Sequence, residues 1–269
     1  MDLRNEVSKY KEMADFFEKM NRSFSAAFPN MRFAVPQVDL SAPHDSDFYL
    51  TTYAPGVAYD EVKDADLKTR SGEMIFQALI RGLLLHGKFE SDRHHKNIKI
   101  EARTNEAIIW MLDPGQFQSF KTSSLPFVLD DRLIIARFLT AVSKGDVNLL
   151  VKTLASMQQA GNNVDLESLK TPIATVFQSS SSTQSRLIQI VKVLHRNHYM
   201  MDFRFDFTAF KGLMVLIKEG YVASDRAEAI IETAVKETLM RKADVTTLAT
   251  HVPILSTCEG YLQRLVGQQ

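Results

Sequence analysis

Residues 91–115 read SDRHHKNIKIEARTNEAIIWMLDPG, and this stretch decides the fold. Two runs of strand-forming residues flank the polar turn RTNE, a pattern that predicts a β-hairpin over residues 97–112. Asp92 and Asn97 come at or before the start of the hairpin, and Asp113 follows its end. Because a hairpin returns the chain to the place where it began, we expect Asn97 and Asp113 to lie at the same end of a sheet.

These side chains have the spacing that phosphoryl transfer of the protein-kinase type requires. Asp92 would orient or deprotonate the attacking hydroxyl, while Asn97 and Asp113 would hold Mg²⁺ against the phosphates. Oxygen ligands suit Mg²⁺, which is a hard cation that keeps several waters. Gly115 would let the backbone turn away tightly after the second Asp. The alternative is a polar loop in which Asn97 and Asp113 serve as turn residues.

The chain resembles the UbiB/AarF family of atypical protein-kinase-like proteins, in order, over nearly its whole length. The family signature G-F-F-H-A-D-P-H-P-G-N-I is matched by GKFESDRHHKNI, in which Asp92, His94, Asn97 and Ile98 coincide with it. The family's L-D-F-G is matched by LDPG at 112–115. Four further stretches resemble the family: DLRNEVSKY at 2–10, with Glu6 at the family's helix glutamate, VPQV at 35–38, YLTTYAPGVAYDEV at 49–62, and DDRLIIARFLTAVSKGDVNLLVKTLASM at 130–157.

The chain also departs from the family pattern. The family has Pro, Pro and Gly where this chain has Arg93, His95 and Lys96, and it has Phe where this chain has Pro114. Pro114 predicts an extended backbone at Asp113, because a proline disfavours the helical region for the residue before it. The family's K-x-G-Q motif, Ala-rich nucleotide loop and strand lysine have no counterpart in these residues. We therefore expect weak ATP binding that requires Mg²⁺, and a partner protein that supplies or covers this part.

The resemblance implies a helix-dominated α+β fold with a kinase-like C-terminal lobe. We expect a remnant of the N-terminal lobe at 1–55, the catalytic and metal loops at 56–128, and a C-terminal helical array at 129–269. The implied function is an ATP- and Mg²⁺-dependent kinase or ATPase linked to quinone or lipid metabolism. The rival function is a non-catalytic pseudokinase that binds other proteins through its helical half.

The resemblance also assigns roles to individual residues. Asp92 would be the catalytic aspartate, Asn97 and Asp113 the metal ligands, and Glu6 and Asp113 the nucleotide-binding pair, with His94 and Gly115 as accessory residues. Glu6 lies on the apolar side of a helix predicted over residues 2–28, at the edge of its apolar stripe. Since a half-buried carboxylate without a partner is costly, we expect Glu6 to face solvent or to meet an Arg or Lys, a backbone N–H, or a basic group of a second chain.

Hydrophobic periodicity predicts the remaining elements. Extended segments are expected at 32–40 and 47–56 and an apolar helix at 72–86. After residue 129 the sequence changes to successive helical segments, several of which open on Asp or Ser and close on Gly, as capped helices do.

Composition limits the classes of function. The chain has 269 residues, with 32 Lys and Arg against 32 Asp and Glu, so no net positive charge attracts nucleic acid. Cys258 is the single cysteine, which excludes an intrachain disulfide and a cysteine zinc cluster. The charged N-terminal residues do not resemble a targeting signal, and the most apolar stretch, at 74–87, is too short to cross a bilayer. A cytoplasmic protein is expected, with peripheral membrane contact left open.

Overall fold

A computed structural model of the chain shows a helix-dominated α+β fold with a small mixed sheet, as the sequence predicts. The chain divides into two compact units. The first unit contains Met1–Leu83, Lys88–Ser119 and Phe207–Ala227, and the second contains Leu84–Gly87, Phe120–Asp206 and Glu228–Gln269. The structure describes residues 3–39, 49–90, 94–114, 117–120, 122, 129–180, 182–202, 205 and 216–242.

The first unit opens with helix α1, Leu3–Phe24, which is four residues shorter at its C-terminal end than the sequence predicts. Its apolar stripe is buried, with Met13, Phe17 and Met20 almost inaccessible to solvent. The ring of Phe17 packs on that of Phe33, with 4.7 Å between the centroids. This aromatic contact fixes α1 on the first strand of the sheet.

Among the described residues of the first unit, six strands form two sheets. The strands are β1 Met31–Ala34, β2 Val57–Ala58, β3 Lys88–Glu90, β4 Ile98–Ala102, β5 Ala107–Met111 and β6 Phe117–Ser119. The larger sheet has the order β1-β5-β4-β2, with β1 parallel to β5 and the other pairs antiparallel. β3 and β6 form a separate antiparallel pair. The hairpin predicted over 97–112 is confirmed as β4 and β5, joined by the turn at 103–106.

The two extended segments predicted at 32–40 and 47–56 are shorter in the structure than in the prediction. Only β1 forms a regular strand in the first of them, followed by an isolated antiparallel bridge between Val38 and Thr51. The part of the second segment that precedes residue 49 lies outside the described residues.

Helix α2, Ala65–Arg81, begins seven residues before the helix predicted at 72–86. Asp64 caps it, because the side chain of Asp64 accepts a hydrogen bond from the N–H of Leu67 at 3.0 Å. The first turns of α2 are polar and exposed, so hydrophobic periodicity does not reveal them. A single π-helical turn, Gly82–His86, continues the helix.

The regular secondary structure described in the second unit consists of helices. α3 is Asp131–Lys144, α4 Val147–Met157, α5 Lys170–Ser179 and α6 Thr183–Arg196, and α7, Ser224–Arg241, begins in the first unit and continues in the second. Asp130, Asp146 and Ser182 accept hydrogen bonds from the first turns of α3, α4 and α6, and Gly145 ends α3 with a φ of 69°. These contacts confirm the capping predicted from the sequence.

No described helix combines the length and the apolar character that a membrane-spanning segment needs.

Candidate functional site

The open end of the β4–β5 hairpin positions Asn97. A 3-10 turn, His95–Asn97, precedes β4, and the N–H of Asn97 donates to the carbonyl of His94 at 2.9 Å. The N–H of Leu112 donates to the carbonyl of Asn97 at 3.0 Å, which extends the hairpin ladder by one bond beyond Met111. Asn97 and the residue before Asp113 are therefore held opposite each other by the backbone.

Asp113 completes the pair predicted at this end of the sheet. The Nδ2 of Asn97 lies 3.5 Å from the Oδ2 of Asp113, which confirms that the two side chains converge. At 3.5 Å this hydrogen bond is at the long limit of the usual range. Rotation of the Asn97 amide by a half turn would place two oxygens, Oδ1 of Asn97 and Oδ2 of Asp113, side by side.

The backbone of Asp113 is not extended, contrary to the prediction from Pro114. Its φ is 51°, in the left-handed region that residues other than glycine seldom adopt. Aspartate tolerates this region better than most residues, because its short polar side chain can form local hydrogen bonds. The chain turns sharply here, and the N–H of Phe117 donates to the carbonyl of Pro114 at 2.8 Å. The reversal after β5 thus overrides the local preference of the residue before a proline.

Two tyrosines lie near Asp113 and near Glu6 on α1. The rings of Tyr10 and Tyr49 meet edge to face, with 5.8 Å between their centroids. The negative charge of Glu6 acts on the pKa of both phenols, and that of Asp113 acts on the pKa of Tyr10. Glu6 therefore lies within electrostatic reach of both phenols.

Both phenols remain protonated at neutral pH. Burial raises the pKa of Tyr10, and the negative charges of Glu6 and Asp113 raise it further, while hydrogen bonds with Tyr49 and the Asp113 backbone offset part of the rise. Burial also raises the pKa of Tyr49, and its hydrogen bond with Glu6 adds to this effect. Each hydroxyl can therefore donate one hydrogen bond and accept another.

Glu6 is half-buried, and its charge acts on the phenols of Tyr10 and Tyr49. The basic or backbone partner expected for Glu6 stays a prediction.

Three further residues were predicted to belong to the site, namely Asp92, His94 and Gly115. Asp92, the predicted catalytic residue, and Gly115, the predicted turn residue, lie outside the described residues. His94 precedes the 3-10 turn in an extended conformation, with a φ of −138°, and its ring is half-buried. His94 contributes its carbonyl to Asn97, and its ring centroid lies 6.1 Å from that of His95.

The donor set at the hairpin end fits a hard cation better than a soft one. One carboxylate and one amide oxygen, with the remaining positions filled by water and phosphate oxygens, form a ligand set that Mg²⁺ accepts. Among the residues that the structure describes, no cluster of three or more His, Cys, Asp or Glu is arranged to hold a metal ion. Asn97 and Asp113 therefore provide two oxygens, too few to hold a cation without other ligands.

Tyr10 and Tyr49 were not identified as site residues from the sequence. A signal for Tyr10 was available, because it follows Glu6 by four residues on one face of a helix, as side chains in contact do. No comparable signal exists for Tyr49, because it is distant in sequence from the other residues of the site.

Comparison with known proteins does not extend this description. The chain matches no protein-family model, and no curated protein sequence matches it.

Proposed function

We propose that the chain is a UbiB/AarF-like atypical kinase or ATPase, which carries out ATP- and Mg²⁺-dependent phosphoryl transfer or ATP hydrolysis. The observation that carries the proposal is the approach of Asn97 and Asp113 to 3.5 Å at the open end of the hairpin. Kinase-type phosphoryl transfer requires an amide and a carboxylate at this position. The position of Tyr10 within electrostatic reach of both Glu6 and Asp113 adds support, since the family resemblance assigns these two carboxylates to the same site.

Each residue has a distinct task in this proposal. Oδ1 of Asn97 and a carboxylate oxygen of Asp113 would hold Mg²⁺, and the bound cation would supply positive charge against the phosphates. Asp92 would accept the proton of the attacking hydroxyl or water. Glu6 would take part in nucleotide binding, as the resemblance implies. By resemblance, the acceptor belongs to quinone or lipid metabolism.

Metal and nucleotide binding test the proposal directly. Calorimetry of the wild-type chain with ATP should show weak binding that requires Mg²⁺, because the cation joins the phosphates to Asn97 and Asp113. Asp113→Asn should weaken Mg²⁺-dependent binding by at least about tenfold, since it removes the single carboxylate of this pair. Asp92→Asn should leave ATP binding almost unchanged and abolish turnover, because that residue acts on the acceptor.

Asp66→Asn is the matched control, because the Asp66 side chain is 83% exposed on α2. This variant should bind and hydrolyse ATP as the wild type does. Binding that ignores Mg²⁺, or equal affinity in the Asp113→Asn and Asp66→Asn variants, would contradict the assignment of the cation site.

A specific observation favours the second candidate, a non-catalytic protein-interaction module. Leu50, Tyr53 and Val57 lie within eight residues of one another and are 54%, 78% and 46% exposed. We take these three exposed apolar residues, which are close in sequence, as the candidate docking segment, because contiguous exposed apolar patches mark interaction surfaces. The segment belongs to the first unit, whereas the sequence suggested the helical half.

The two candidate functions predict different variants to be defective. For an interaction module, replacement of Leu50, Tyr53 and Val57 by serine should abolish co-purification of a partner protein, while Asp113→Asn should have no effect. For an enzyme, Asp113→Asn should abolish Mg²⁺-dependent ATP hydrolysis and the triple variant should retain it.

A further inference from the structure

Two carbonyls at the end of α2 are held by side chains that are distant in sequence. The π-turn, Gly82–His86, ends this helical stretch, and the last carbonyls of a helix need partners from outside it. The carbonyl of Leu84 accepts a hydrogen bond from the hydroxyl of Thr238 at 3.1 Å. The carbonyl of Leu85 accepts one from Nη1 of Arg132 at 2.8 Å. All four residues belong to the second unit, so α3 and α7 complete the end of a helix that precedes them both.

Arg132 makes the stronger of these two contacts. Its Nη2 donates to the carboxylate of Asp130 at 2.7 Å, so the planar guanidinium bridges Asp130 and the carbonyl of Leu85. The Arg132 side chain is 15% exposed, and hydrogen bonds are stronger where solvent is excluded. The Thr238 hydroxyl has one proton, which it shares between Leu84 and the carbonyl of Ala234, 2.8 Å away in its own helix. We therefore expect Arg132 to contribute more than Thr238.

A π-turn depends on external contacts more than a turn of α-helix does. It is a rare conformation, in which each hydrogen bond spans one residue more than in an α-helix. Return to the α register would rotate the residues that follow by about 100° around the helix axis, which would carry both carbonyls away from Thr238 and Arg132. Leu84 and Leu85 are 0% and 4% exposed, so the packing of these leucines is the other candidate for what selects the register.

We propose that Arg132 and Thr238 select the π register at the end of α2. The guanidinium fixes the carbonyl of Leu85 next to Asp130, and the Thr238 hydroxyl adds a second contact at the preceding residue. Without these contacts the turn closes in the α register, which helices adopt by default. The selection of the register is independent of the proposed phosphoryl transfer.

The register of the π-turn determines how the chain enters β3. This strand begins at Lys88, and Gly87 is the one residue between it and the π-turn. A shift of one residue moves every side chain of a strand to the opposite face. Lys88 donates to Ser119 at 2.6 Å and also to Glu12 on α1, and such a shift would remove both contacts. The π-turn thus acts as a register switch for the ionic contact between β3 and α1.

Amide hydrogen exchange of the full-length chain, measured by NMR, tests the selection in two single variants. Arg132→Lys keeps a cation for Asp130, but an ammonium is a single point of donation that does not reproduce the planar guanidinium. Thr238→Val removes the hydroxyl and keeps a branched side chain. Exchange of the His86 and Gly87 amides should accelerate by at least about tenfold in Arg132→Lys and by about threefold in Thr238→Val.

Each variant has a matched control on α7. Arg241→Lys alters an arginine whose side chain is 57% exposed and pairs with Glu237. Thr233→Val removes a hydroxyl that donates to a carbonyl of its own helix at 2.8 Å, as Thr238 does, but at an exposed position. Neither control should change exchange in the π-turn. The buried Leu150 amide in α4 reports opening of the whole unit, and its exchange should change by less than about threefold in all four variants.

A crystal structure of the Arg132→Lys/Thr238→Val double variant shows the register directly. Residues 82–86 should form a regular α-helical turn, with Lys88 no longer opposite Ser119. A π-turn that persists in the double variant, or turn amides that exchange as slowly in both single variants as in the wild type, would overturn the proposal in favour of leucine packing. Acceleration at Leu150 equal to that in the turn would also overturn it, since Arg132 would then stabilise the unit as a whole rather than the turn.

Discussion

Gly72 lies within α2 at a point where the chain has no room for a side chain. A Cβ at this position would meet the carbonyl oxygen of Tyr221 at 2.1 Å and the hydroxyl of Tyr59 at 2.4 Å. The rings of Tyr59 and Tyr221 stack on each other with 3.9 Å between their centroids. Burial raises the pKa of Tyr59 to about 12, so its hydroxyl stays protonated and donates to the carbonyl of Lys68 at 3.1 Å. Tyr59 and Tyr221 can therefore pack this closely against α2 only because residue 72 has no side chain.

Gly72→Ala should therefore destabilise the protein, although alanine favours a helix. Helix propensity alone would stabilise α2 by about 1 kcal/mol, whereas a clash with a backbone carbonyl typically costs about 1–3 kcal/mol. We expect a net loss of up to about 2 kcal/mol in the free energy of unfolding, measured by urea denaturation. Thr69→Ala, at an exposed position of the same helix, should change the stability by less than about 0.5 kcal/mol. Equal or greater stability of Gly72→Ala would show that Tyr221 can move away.

One part of the candidate site could be predicted from the sequence, and another part could not. The approach of Asn97 and Asp113 follows from a hairpin of ordinary length, because local pairing brings both residues to one end. The positive φ of Asp113 could not be predicted, since it depends on the turn that follows β5 and opposes the preference set by Pro114. The contact between the rings of Tyr49 and Tyr10 depends on long-range packing, which no local pattern encodes.

At the scale of elements, α1 is fixed to the smaller sheet by an ionic contact that is separate from the candidate site. Glu12 on α1 accepts hydrogen bonds from Lys88 on β3 and from Ser119 on β6, the latter at 2.8 Å. Lys88 and Ser119 are paired in the β3–β6 register, and Lys88 donates to Ser119 at 2.6 Å. Burial tends to raise the pKa of Glu12, but the hydrogen bonds from Lys88 and Ser119 outweigh it, so the pKa is lowered from 4.5.

The lowered pKa of Glu12 predicts a specific acid sensitivity. A carboxyl whose pKa is lower in the folded state than in the unfolded state stabilises the protein above the unfolded value of 4.5, and this stabilisation is lost as the pH falls through the folded value. Glu12→Gln should therefore lower the urea midpoint at pH 6, and the difference from the wild type should shrink at pH 3. The effect is modest, because the Glu12 side chain is 38% exposed and solvent screens the pair.

Glu18→Gln is the control for this measurement. Glu18 pairs with Arg22 on the same helix, but their side chains are 62% and 74% exposed, so the pair contributes little. The urea midpoint of this variant should follow that of the wild type at both pH values. A difference between Glu12→Gln and the wild type that persists unchanged at pH 3 would show that Glu12 acts through packing rather than through its charge.

Helix boundaries were predictable where capping residues stand beside apolar periodicity. Asp130 and Asp146 precede the regular spacing of α3 and α4, and both cap these helices in the structure. The start of α2 was missed because its cap, Asp64, is followed by polar residues that face solvent. Its first turns depend on the cap and on packing further along the helix, and periodicity reports neither of these.

At the scale of the whole chain, charged residues that are distant in sequence meet in the second unit. Asp130 is 4% exposed at its side chain and forms ion pairs with Arg132 at 2.7 Å and with Lys242 at 2.8 Å, whose side chain is also 4% exposed. Arg132 donates in addition to the carbonyl of Leu85 at 2.8 Å. The network joins the start of α3 to the residue that follows α7. Sequence reasoning recognised Asp130 only as part of a capped helix, since nothing local relates it to Lys242.

The central position of Asp130 predicts an asymmetry between two substitutions. Asp130→Asn keeps a good capping residue for α3, but it leaves Arg132 and Lys242 without their shared anion, and removal of one partner from a buried ion pair costs about 3–5 kcal/mol. Lys242→Met should cost less, about 1–3 kcal/mol, because Asp130 keeps its ion pair with Arg132 while methionine retains most of the aliphatic chain. Urea denaturation of both variants and of the double variant measures the difference. The double variant should be more stable than Asp130→Asn alone, since it removes one of the two cations that have lost the Asp130 carboxylate. If Lys242→Met proved the more damaging of the two, Lys242 rather than Asp130 would be the centre of the network.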